Sequence, residues 1–367
     1  MKTVAVVGAG LFGCTIARLL AENSNYKVKV FEKRSHIAGN CYDYRQNGIL
    51  IHKFGSHIFH TNNLKVWQFI NRFSKFINYK HKASAVTSYG KFDFPLNFDT
   101  FQKYYPQLKT NEDLLSLLSS FRKYSKPSNF EEAALNSVGD LLYKEFYFGY
   151  TLKQWGVHPK ELPASLFRRI PVHLGTSNFY FTDHFQGLPR NGYTDLMSKM
   201  LDHPNIEVNL NCDFLYIKSQ FLNQTPVIYS GNLDHFFENK FGPLSWRTLN
   251  FEIEELNVDE FQGQPVVNYC EKDVPYTRVH EFKFFPNSES PKDKTIIMRE
   301  YPKKFEVGDL PFYPIENDET RLLFKSYKSQ AQNLNKFYFG GRLGSYKYFD
   351  MDMTIANAFK LEQELIK

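Results

Sequence analysis

Cysteine is scarce in this chain and shows no pairing pattern. Four occur in 367 residues, at Cys14, Cys41, Cys212 and Cys270. They lie far apart in the sequence and form no C-x-x-C pair, which excludes the common structural zinc sites and the disulfide framework of a small secreted domain. The cysteine usage therefore predicts a protein of a reducing compartment, the cytoplasm.

Long apolar runs and concentrated charge are also missing. No apolar stretch approaches the roughly 20 residues that a membrane-spanning helix needs, so we expect no membrane span. The formal net charge is +6, from 45 Lys and Arg against 39 Asp and Glu, and the basic residues are scattered along the chain. This balance suits anionic ligands, but it predicts no nucleic-acid surface.

Metal ligands are not grouped in the sequence either. His57 and His60 are three residues apart, but two apolar residues separate them and no carboxylate or thiolate is near. We therefore predict no metal site. Two interpretations of each histidine stay open: a core histidine with its hydrogen bonds satisfied, or a side chain that Gly55 brings against a flat cofactor.

A dinucleotide-binding signal fills the first 34 residues. An apolar run, a G-x-G-x-x-G segment, a helical pattern and a second apolar run follow in register, at residues 4–7, 8–13, 15–21 and 28–31. Gly8 permits a tight turn, Gly10 lets the backbone approach a pyrophosphate, and Gly13 lets the helix pack close to the strand. Glu32, at the end of the second strand, is placed to accept hydrogen bonds from a ribose diol.

The segment after Glu32 indicates which dinucleotide is bound. Residues 33–40, KRSHIAGN, resemble the E-(K/R)-R-x-x-x-G-G/N extension of FAD-binding flavoproteins. Their small side chains would let the chain run beside the flavin end of the cofactor. We therefore predict FAD rather than NAD.

Aromatic residues make up 17% of the chain, with 36 Phe and 23 Tyr, which suits a protein that stacks rings. Phe146 and Tyr150 are four residues apart on a helical pattern, so they share a face and could hold a base between them. That both are simply core aromatics is an equally good interpretation. Trp155, just before Gly156, breaks the helical pattern and predicts a turn with an aromatic binding wall.

Two arginine positions are candidate phosphate ligands. Arg168 and Arg169 precede a stretch rich in small polar residues, and Arg278 ends the motif VPYTR. Paired arginines are more often solvated surface charge. The functional alternative is a phosphate clamp on a mobile loop, because a guanidinium pairs bidentately with phosphate.

The coarse pattern predicts three kinds of segment after the nucleotide motif. Residues from about 97 to 169 read as helical, and residues from about 244 to 312 carry several β-rich runs that favour an antiparallel sheet. The chain then returns to the nucleotide fold, with a strand near 337–339 and a last helix over 354–366. The start of that helix would place its positive dipole against the flavin pyrimidine and favour an anionic reduced flavin.

Six motifs give the chain its resemblance to a known family. They are GSHIFHT (55–61), GYTLKQWG (149–156), KELPASLFRRIPV (160–172), FQGLPRNGY (185–193), VPYTR (274–278) and GRLGSYKYFDMD (341–352). In these motifs and their order the chain resembles the bacterial UDP-galactopyranose mutases over essentially its whole length.

The resemblance implies an α/β fold in which an FAD-binding Rossmann-like domain is interrupted by an α-helical domain and an antiparallel β-sheet domain. On this sequence the FAD domain would comprise residues 1–80, 185–240 and 325–367. The helical domain would comprise residues 97–170, with a mobile loop to about 182. The sheet domain would comprise residues 81–96 and 241–324, and the substrate cleft would lie between the domains.

The resemblance also implies the chemistry. The family interconverts UDP-galactopyranose and UDP-galactofuranose without net redox change, with FAD that is active when reduced. Flavin N5 attacks the anomeric carbon and expels UDP; the sugar ring opens and recloses through its 4-hydroxyl, and UDP returns. Further implications are an external reductant such as NAD(P)H, a homodimer and a role in cell-surface polysaccharide biosynthesis.

Site residues are implied position by position. The catalytic set would be Arg169, Arg278 and His57. The substrate would contact Phe146, Tyr150, Thr151, Trp155, Arg169, Tyr180, Arg247, Asn268, Arg278, Tyr313, Tyr348 and Asp350. The cofactor would contact Gly8, Gly10, Phe12, Gly13, Glu32, Lys33, Arg34, Gly39, Asn40, His57, Ile58, His60, Arg342, Tyr348, Asp350 and Met351.

Two functions of other classes stay open at this point. An amine-oxidase-like flavoenzyme would share the FAD motif, but it would reduce O2 and would not need two phosphate-binding arginines. A non-catalytic sensor of UDP-sugars or dinucleotides would keep the stacking aromatics, but it would not need His57 at the flavin.

Overall fold

The computed structural model describes residues 1–23, 25–170, 172–221, 224–289 and 291–366, except for the side chains of residues 168 and 169. The strands are β1 Lys2–Val7, β2 Tyr26–Phe31, β3 Asp43–Gln46, β4 Ile49–His52, β5 Phe59–Thr61, β6 Phe76–Asn78, β7 Ala83–Thr87, β8 Gly90–Phe94, β9 Phe185–Pro189, β10 Ile206–Asn209, β11 Val227–Tyr229, β12 Trp246–Leu256, β13 Val266–Tyr269, β14 Arg278–Glu281, β15 Thr295–Lys304, β16 Tyr313–Pro314 and β17 Phe337–Phe339. The α-helices are α1 Leu11–Glu22, α2 Leu64–Asn71, α3 Phe98–Tyr104, α4 Asn111–Ser120, α5 Phe130–Leu142, α6 Gly149–Trp155, α7 Tyr193–Leu201, α8 Phe214–Ile217, α9 Leu233–Phe236, α10 Asp318–Gln332, α11 Gly341–Gly344 and α12 Met351–Ile366.

A five-stranded parallel sheet forms the centre of the nucleotide-binding region. Its strand order is β10-β2-β1-β11-β17, so the chain enters it from three separate stretches. Side chains of β1 alternate between two apolar layers. Val4 and Val6 pack with α1, α7 and α12, and Ala5 and Val7 pack with Phe214 and the residues around it. Both faces of the sheet are therefore covered, as an all-parallel sheet requires.

A seven-stranded sheet, in the order β16-β12-β15-β14-β13-β7-β8, forms a second layer. The sequence predicted an antiparallel sheet, and most pairs are antiparallel. The exception is β13, which pairs with β7 in parallel, Val267 opposite Ser84. That pairing joins the hairpin β7–β8 to strands almost 200 residues later and makes the sheet mixed.

The helical segment packs against the outer hairpin of this sheet. Phe101, Leu114 and Phe130 lie in one buried cluster with Phe92 and Phe94 of β8. The chain bends within α5 at Gly139, whose φ of +74° favours glycine, and continues through a π-helix over Tyr143–Phe148 into α6. The helical prediction is confirmed.

The chain ends on the nucleotide-binding region, as predicted. Strand β17 pairs with β11, and α12 packs on α1. The last helix begins at Met351, three residues before the predicted start. No helix in the described stretches is both long and apolar enough to span a membrane.

Candidate active site

A tight glycine turn joins β1 to α1. Gly8 has a φ of +97°, and a Cβ on Gly13 would lie 1.8 Å from the Gly8 carbonyl oxygen, so only glycine permits this approach of helix and strand. Gly10 is the N-cap of α1 and offers no side chain to the first N–H groups. Those groups are left for an anion, which is how a pyrophosphate is held at a helix N-terminus.

Glu32 closes the other side of this turn. Its Oε2 accepts a hydrogen bond from the Ala9 N–H (2.8 Å), and its Oε1 accepts one from the Arg34 N–H (2.9 Å). Arg34 Nη2 donates to Asn40 Oδ1 at 3.0 Å, while the buried Arg34 Nη1 has no partner among the described residues. An orphaned guanidinium nitrogen beside a glycine turn is a fitting contact for a dinucleotide.

These residues surround a cavity of about 280 Å³, which we call the cofactor groove. Twelve of the residues predicted to bind cofactor line it: Gly8, Gly10, Phe12, Gly13, Glu32, Lys33, Arg34, Gly39, Asn40, His57, Arg342 and Met351. The other four, Ile58, His60, Tyr348 and Asp350, line a neighbouring, larger cavity. The glycines, the carboxylate and the free guanidinium nitrogen all fit a flavin dinucleotide.

The larger cavity, about 650 Å³, is the candidate substrate chamber. Asn40, His57, Arg342 and Met351 line both the chamber and the cofactor groove. The two spaces therefore meet at these four residues. A dinucleotide lying along the groove would present its reactive end to the chamber at this junction.

His57 stands at the junction as a neutral imidazole. Its Nδ1–H donates to the Gly55 carbonyl oxygen at 2.7 Å, and its backbone N–H donates to His52 Nδ1 at 3.0 Å. Burial, reinforced by the nearby Arg342 charge, lowers the pKa of His57 to about 4. The Nε2 atom of His57 is thus an acceptor at neutral pH.

Arg278 and Glu300 form the charged centre of the chamber. Arg278 Nη1 lies 3.7 Å from Glu300 Oε2, and its Nε donates to Asn268 Oδ1 at 3.1 Å. Glu300 Oε2 also accepts a hydrogen bond from His280 Nε2 at 3.3 Å, and His280 Nδ1 accepts one from Ser56 Oγ at 2.7 Å. Burial alone would raise the pKa of Glu300, but Arg278 and His280 hold that pKa below its ordinary value, so the carboxylate is charged.

This chain of contacts links Arg278, the phosphate-binding candidate, to the side of the chamber that meets the cofactor groove. Ser56 precedes His57, so the series Arg278, Glu300, His280 and Ser56 connects the arginine to the loop that carries His57. Neither Glu300 nor His280 was predicted. Sequence offers no signal for them, because each looks like an ordinary polar residue within a β-strand.

The predicted aromatic pair is divided between chamber and core. Both Phe146 and Tyr150 line the chamber. Phe146 is 1% exposed and packs edge-to-face on Phe92 and Tyr104, so most of its ring belongs to the core. Tyr150 lies with its ring 5.8 Å from the Arg278 guanidinium, and its buried hydroxyl has no partner among the described residues.

Trp155 lines the chamber, but its predicted turn is wrong. It is the last residue of α6, and Gly156 follows as the left-handed C-cap with a φ of +67°. The π-helix before α6 shifts the helical phase, which explains why the simple period failed there. The Trp155 ring is 6.0 Å from that of Tyr313, which stacks on Tyr348 at 5.4 Å.

Among the predicted substrate-binding residues whose side chains the structure describes, Arg247 alone does not line the chamber. Its Nε donates to the Gln154 carbonyl (2.9 Å) and its Nη2 to the Lys153 carbonyl (3.1 Å). Arg247 therefore caps the C-terminal end of α6. The others that line the chamber are Phe146, Tyr150, Thr151, Trp155, Tyr180, Asn268, Arg278, Tyr313, Tyr348 and Asp350. The Arg169 side chain falls outside the described residues.

Lys153, on the same helix, holds the loop before Arg278. Its Nζ donates to the carbonyl oxygens of Tyr269, Val274 and Tyr276 at 2.9, 3.0 and 3.0 Å. An ammonium group has three donors, and all three are used. Lys153 thereby fixes the motif GYTLKQWG to the motif VPYTR.

No group of three or more potential metal ligands occurs within the described ranges. His81 and Asp183 also line the chamber, although no sequence motif selects either of them.

Comparisons with known proteins agree with this architecture. A family model described as UDP-galactopyranose mutase matches residues 145–348, and one for an NAD(P)-binding Rossmann-like domain matches residues 6–73. A probable UDP-galactopyranose mutase of Klebsiella pneumoniae is 39% identical over all of this chain and 95% of its own length. The chain belongs to the UDP-galactopyranose mutase family. It is accordingly an isomerase, as predicted.

Two further relatives have comparable sequence identity to this chain. A dTDP-fucopyranose mutase of Escherichia coli is 40% identical over all of this chain and 99% of its own. A UDP-galactopyranose mutase of Mycoplasma genitalium is 36% identical over 99% of this chain and 94% of its own.

Solved structures show the same fold at low identity. A crystal structure of reduced UDP-galactopyranose mutase superposes with a TM-score of 0.74 at 14% identity, covering all of this chain and 96% of that one. A putrescine oxidase superposes with a TM-score of 0.59 at 11% identity, covering all of this chain and 99% of that one. The mutase family thus shares its fold with amine-oxidising proteins, and the fold alone does not separate them.

Proposed function

We propose that this chain interconverts UDP-galactopyranose and UDP-galactofuranose with bound, reduced FAD. The single observation that carries the proposal is the meeting of the cofactor groove and the chamber at Asn40, His57, Arg342 and Met351. When bound and reduced, the isoalloxazine ring supplies a nucleophilic nitrogen, N5, for the anomeric carbon of the sugar.

The protein's own part is to bind and orient the nucleotide sugar. Arg278 binds the diphosphate and stabilises the charge that grows on it as the bond to the sugar breaks. Glu300 and Asn268 hold the guanidinium in place. Arg169, from the motif KELPASLFRRIPV, is proposed as a second diphosphate ligand.

Aromatic side chains define the two ends of the substrate. Tyr150, Thr151 and Trp155 would hold the uracil end, where stacking needs flat apolar walls. Tyr313, Tyr348 and Asp350 would contact the diphosphate and the sugar. The walls also keep bulk water away from the reacting carbon, which would otherwise be hydrolysed.

His57 would orient the cofactor by hydrogen bonding. Its Nδ1–H is held by the Gly55 carbonyl, which leaves Nε2 as the acceptor of a residue that lines the junction. A neutral imidazole there does not compete with Arg278 for the anionic diphosphate.

The test is an assay with purified protein loaded with FAD, reduced by dithionite and given UDP-galactofuranose. We expect UDP-galactopyranose with reduced FAD and no conversion with oxidised FAD. FAD replaced by 5-deaza-FAD, which has carbon at position 5, should still allow UDP binding and give no product. Conversion by the 5-deaza enzyme would contradict the proposal.

A second candidate substrate is dTDP-fucopyranose. It is favoured by the 40% identity of this chain to a dTDP-fucopyranose mutase. The same ring contraction of dTDP-fucose needs no other chemistry, since the anomeric carbon and the 4-hydroxyl are common to both sugars. Parallel assays with both nucleotide sugars, compared by kcat/KM, decide between them. Hydrogen peroxide formed from an amine under air, with no mutase activity, would instead support the oxidase alternative.

The family resemblance supports four further proposals: NAD(P)H as reductant, a homodimer, a cytoplasmic location and a role in cell-surface polysaccharide biosynthesis. All four cysteines are free thiols, which suits a reducing compartment.

A further inference from the structure

His60 is turned into the chamber by the alternation of strand β5. Its neighbours Phe59 and Thr61 are buried on the other face, whereas His60 is half-buried and lines the chamber. It is three positions along the chain from His57 at the junction, a span of about 10 Å in an extended chain. His60 therefore lies on the wall beside the sugar end of the proposed substrate.

Two side chains contact the His60 ring, and a third holds one of them. Its Nδ1 lies 2.7 Å from Asp183 Oδ2, and because an ionised carboxylate only accepts, Nδ1 carries a proton. Asn62 Nδ2 donates to the other carboxylate oxygen. Phe181 stacks on the imidazole, with ring centres 3.7 Å apart and planes 14° from parallel.

The arrangement leaves His60 Nε2 without a partner in the described part of the chain. The other histidines of the chamber differ in this respect. Both ring nitrogens of His280 are hydrogen-bonded, to Ser56 and Glu300. His57 Nδ1 is bonded to a backbone carbonyl oxygen rather than to a carboxylate, and His81 Nδ1 lies 3.1 Å from the Tyr79 hydroxyl. Among the described chamber histidines, only His60 combines a carboxylate on one ring nitrogen with a free second nitrogen.

This pattern is the one used for proton transfer. A carboxylate on one nitrogen orients an imidazole and stabilises the positive charge that appears when the other nitrogen takes up a proton. An aromatic face against the ring adds to that stabilisation.

We propose that His60 Nε2 moves the proton during opening and closing of the sugar ring, with Asp183 as its positioning residue; this rests on the proposed function. In its imidazolium form, protonated on both ring nitrogens, His60 enters the ring step with a proton on Nε2. On opening, the C1–O5 bond breaks, its electron pair goes to O5, and O5 takes the proton of Nε2, while the lone pair of the nitrogen bonded to C1 compensates that carbon. On closing, a lone pair of O4 forms the bond to C1 and the O4 proton returns to Nε2. C1 is held meanwhile by the nitrogen nucleophile of the cofactor, so no outside oxidant, reductant or proton is consumed.

The experiment separates bond cleavage at C1 from the ring step. UDP-galactose labelled with ¹⁸O in the bond between sugar and phosphate scrambles its label whenever UDP leaves and returns. We expect His60→Gln to lower net isomerisation about a hundredfold or more, the usual contribution of general acid–base catalysis. Label exchange should fall by no more than about threefold, because cleavage at C1 does not need this proton.

Two further variants tie the effect to the ring nitrogen and its partner. His60→Ala should regain turnover when imidazoles are added, with rates that depend on the basicity of the added imidazole. Asp183→Asn should lower isomerisation about tenfold or more, again with label exchange retained. The matched control is His184→Ala, an exposed histidine next to Asp183, which should behave as wild type.

FAD content and UDP affinity, measured on each variant, show that the site is intact. The proposal is overturned if His60→Gln isomerises within threefold of wild type, or if exchange and isomerisation fall together. If wild-type protein with reduced FAD shows neither exchange nor isomerisation of UDP-galactose or dTDP-fucose, the proposed function itself is wrong.

Discussion

The Glu300 carboxylate lies 3.7 Å from the Arg278 guanidinium and is 1% exposed, at the back of the chamber. Arg278 itself keeps about a third of its side chain open to the cavity. One partner of this pair is therefore a buried support and the other is available to a ligand. This asymmetry suits an arginine that must bind an anion without moving.

Replacing Glu300 by Gln should weaken that support. We expect about 2 kcal/mol lower stability, because the buried position loses its charge while Arg278 retains some solvation through the cavity. kcat should fall about tenfold or more as the guanidinium loses its anchor. Urea titration and steady-state kinetics measure the two effects. The control is Glu254→Gln, whose partner Arg299 lies on the exposed side of the same sheet, and it should change stability by less than about 0.5 kcal/mol.

Replacing Arg278 by Lys keeps the charge and removes the planar fork. The Nε donor to Asn268 is lost, and an ammonium group cannot bind a diphosphate in the same bidentate way. We expect kcat about a hundredfold lower with normal FAD content, measured by absorbance of the bound flavin. Arg299→Lys should remain within twofold of wild type. Full activity in Arg278→Lys would show that charge alone suffices at this position.

Gly10 and Gly13 should respond differently to alanine. A Cβ on Gly10 would meet nothing closer than the Gly39 Cα at 3.8 Å, and its φ of −79° suits any residue. Gly10→Ala should therefore fold with an unchanged Tm as apoprotein but lose FAD, because the methyl group occupies the place of the pyrophosphate. Gly13→Ala should lose about 3 kcal/mol of stability, since its Cβ would lie 1.8 Å from a backbone oxygen. If folded Gly10→Ala protein still bound FAD, the pyrophosphate would not lie against Gly10, and the cofactor site would have to be placed elsewhere.

Histidines with lowered pKa values should make the protein acid-sensitive. Burial lowers the pKa of His52 and of His81 to about 3, and that of His57 to about 4, from an ordinary value of 6.5. Between pH 6.5 and about 4 the unfolded chain therefore binds protons that the folded chain does not, so stability falls as the pH falls. Each histidine contributes up to about 1.4 kcal/mol per pH unit.

Urea unfolding with saturating FAD at several pH values measures this slope. His81→Gln should make the slope shallower, because one of the lowered pKa values is removed. His184→Gln, at an exposed position, should leave the slope unchanged. An unaltered slope in His81→Gln would mean that this imidazole is protonated in the folded protein.

Lys153→Met should loosen the loop before Arg278. Three carbonyl oxygens lose their donor, which costs about 2 kcal/mol and raises KM for the nucleotide sugar. Lys144→Met is the control, since Lys144 pairs with Asp140 on the surface. Thermal unfolding and KM measurements compare the two, and equal effects would show that the three carbonyl contacts are unimportant.

Much of the architecture could be predicted from local sequence. The turn at Gly8 to Gly13, the return of the chain at β17 and the helical middle segment each follow from short-range signals, namely glycine position and apolar period. Local signals failed where backbone geometry departed from the standard period, as at Trp155 after the π-helix. They also could not show that β13 and β7 pair in parallel.

The residues of the site likewise fall into those that local sequence could predict and those that it could not. The cofactor-binding turn, the motif that carries Arg278, and the family could all be read from the chain, because these depend on residues that are neighbours in sequence. The folded structure was needed to show that Arg247 caps a helix, that Glu300 supports Arg278 and that Asp183 holds His60 from 123 residues away. Those partners meet because separate strands and loops converge on one chamber, and a hydrogen bond across such a distance leaves no trace in local composition or spacing.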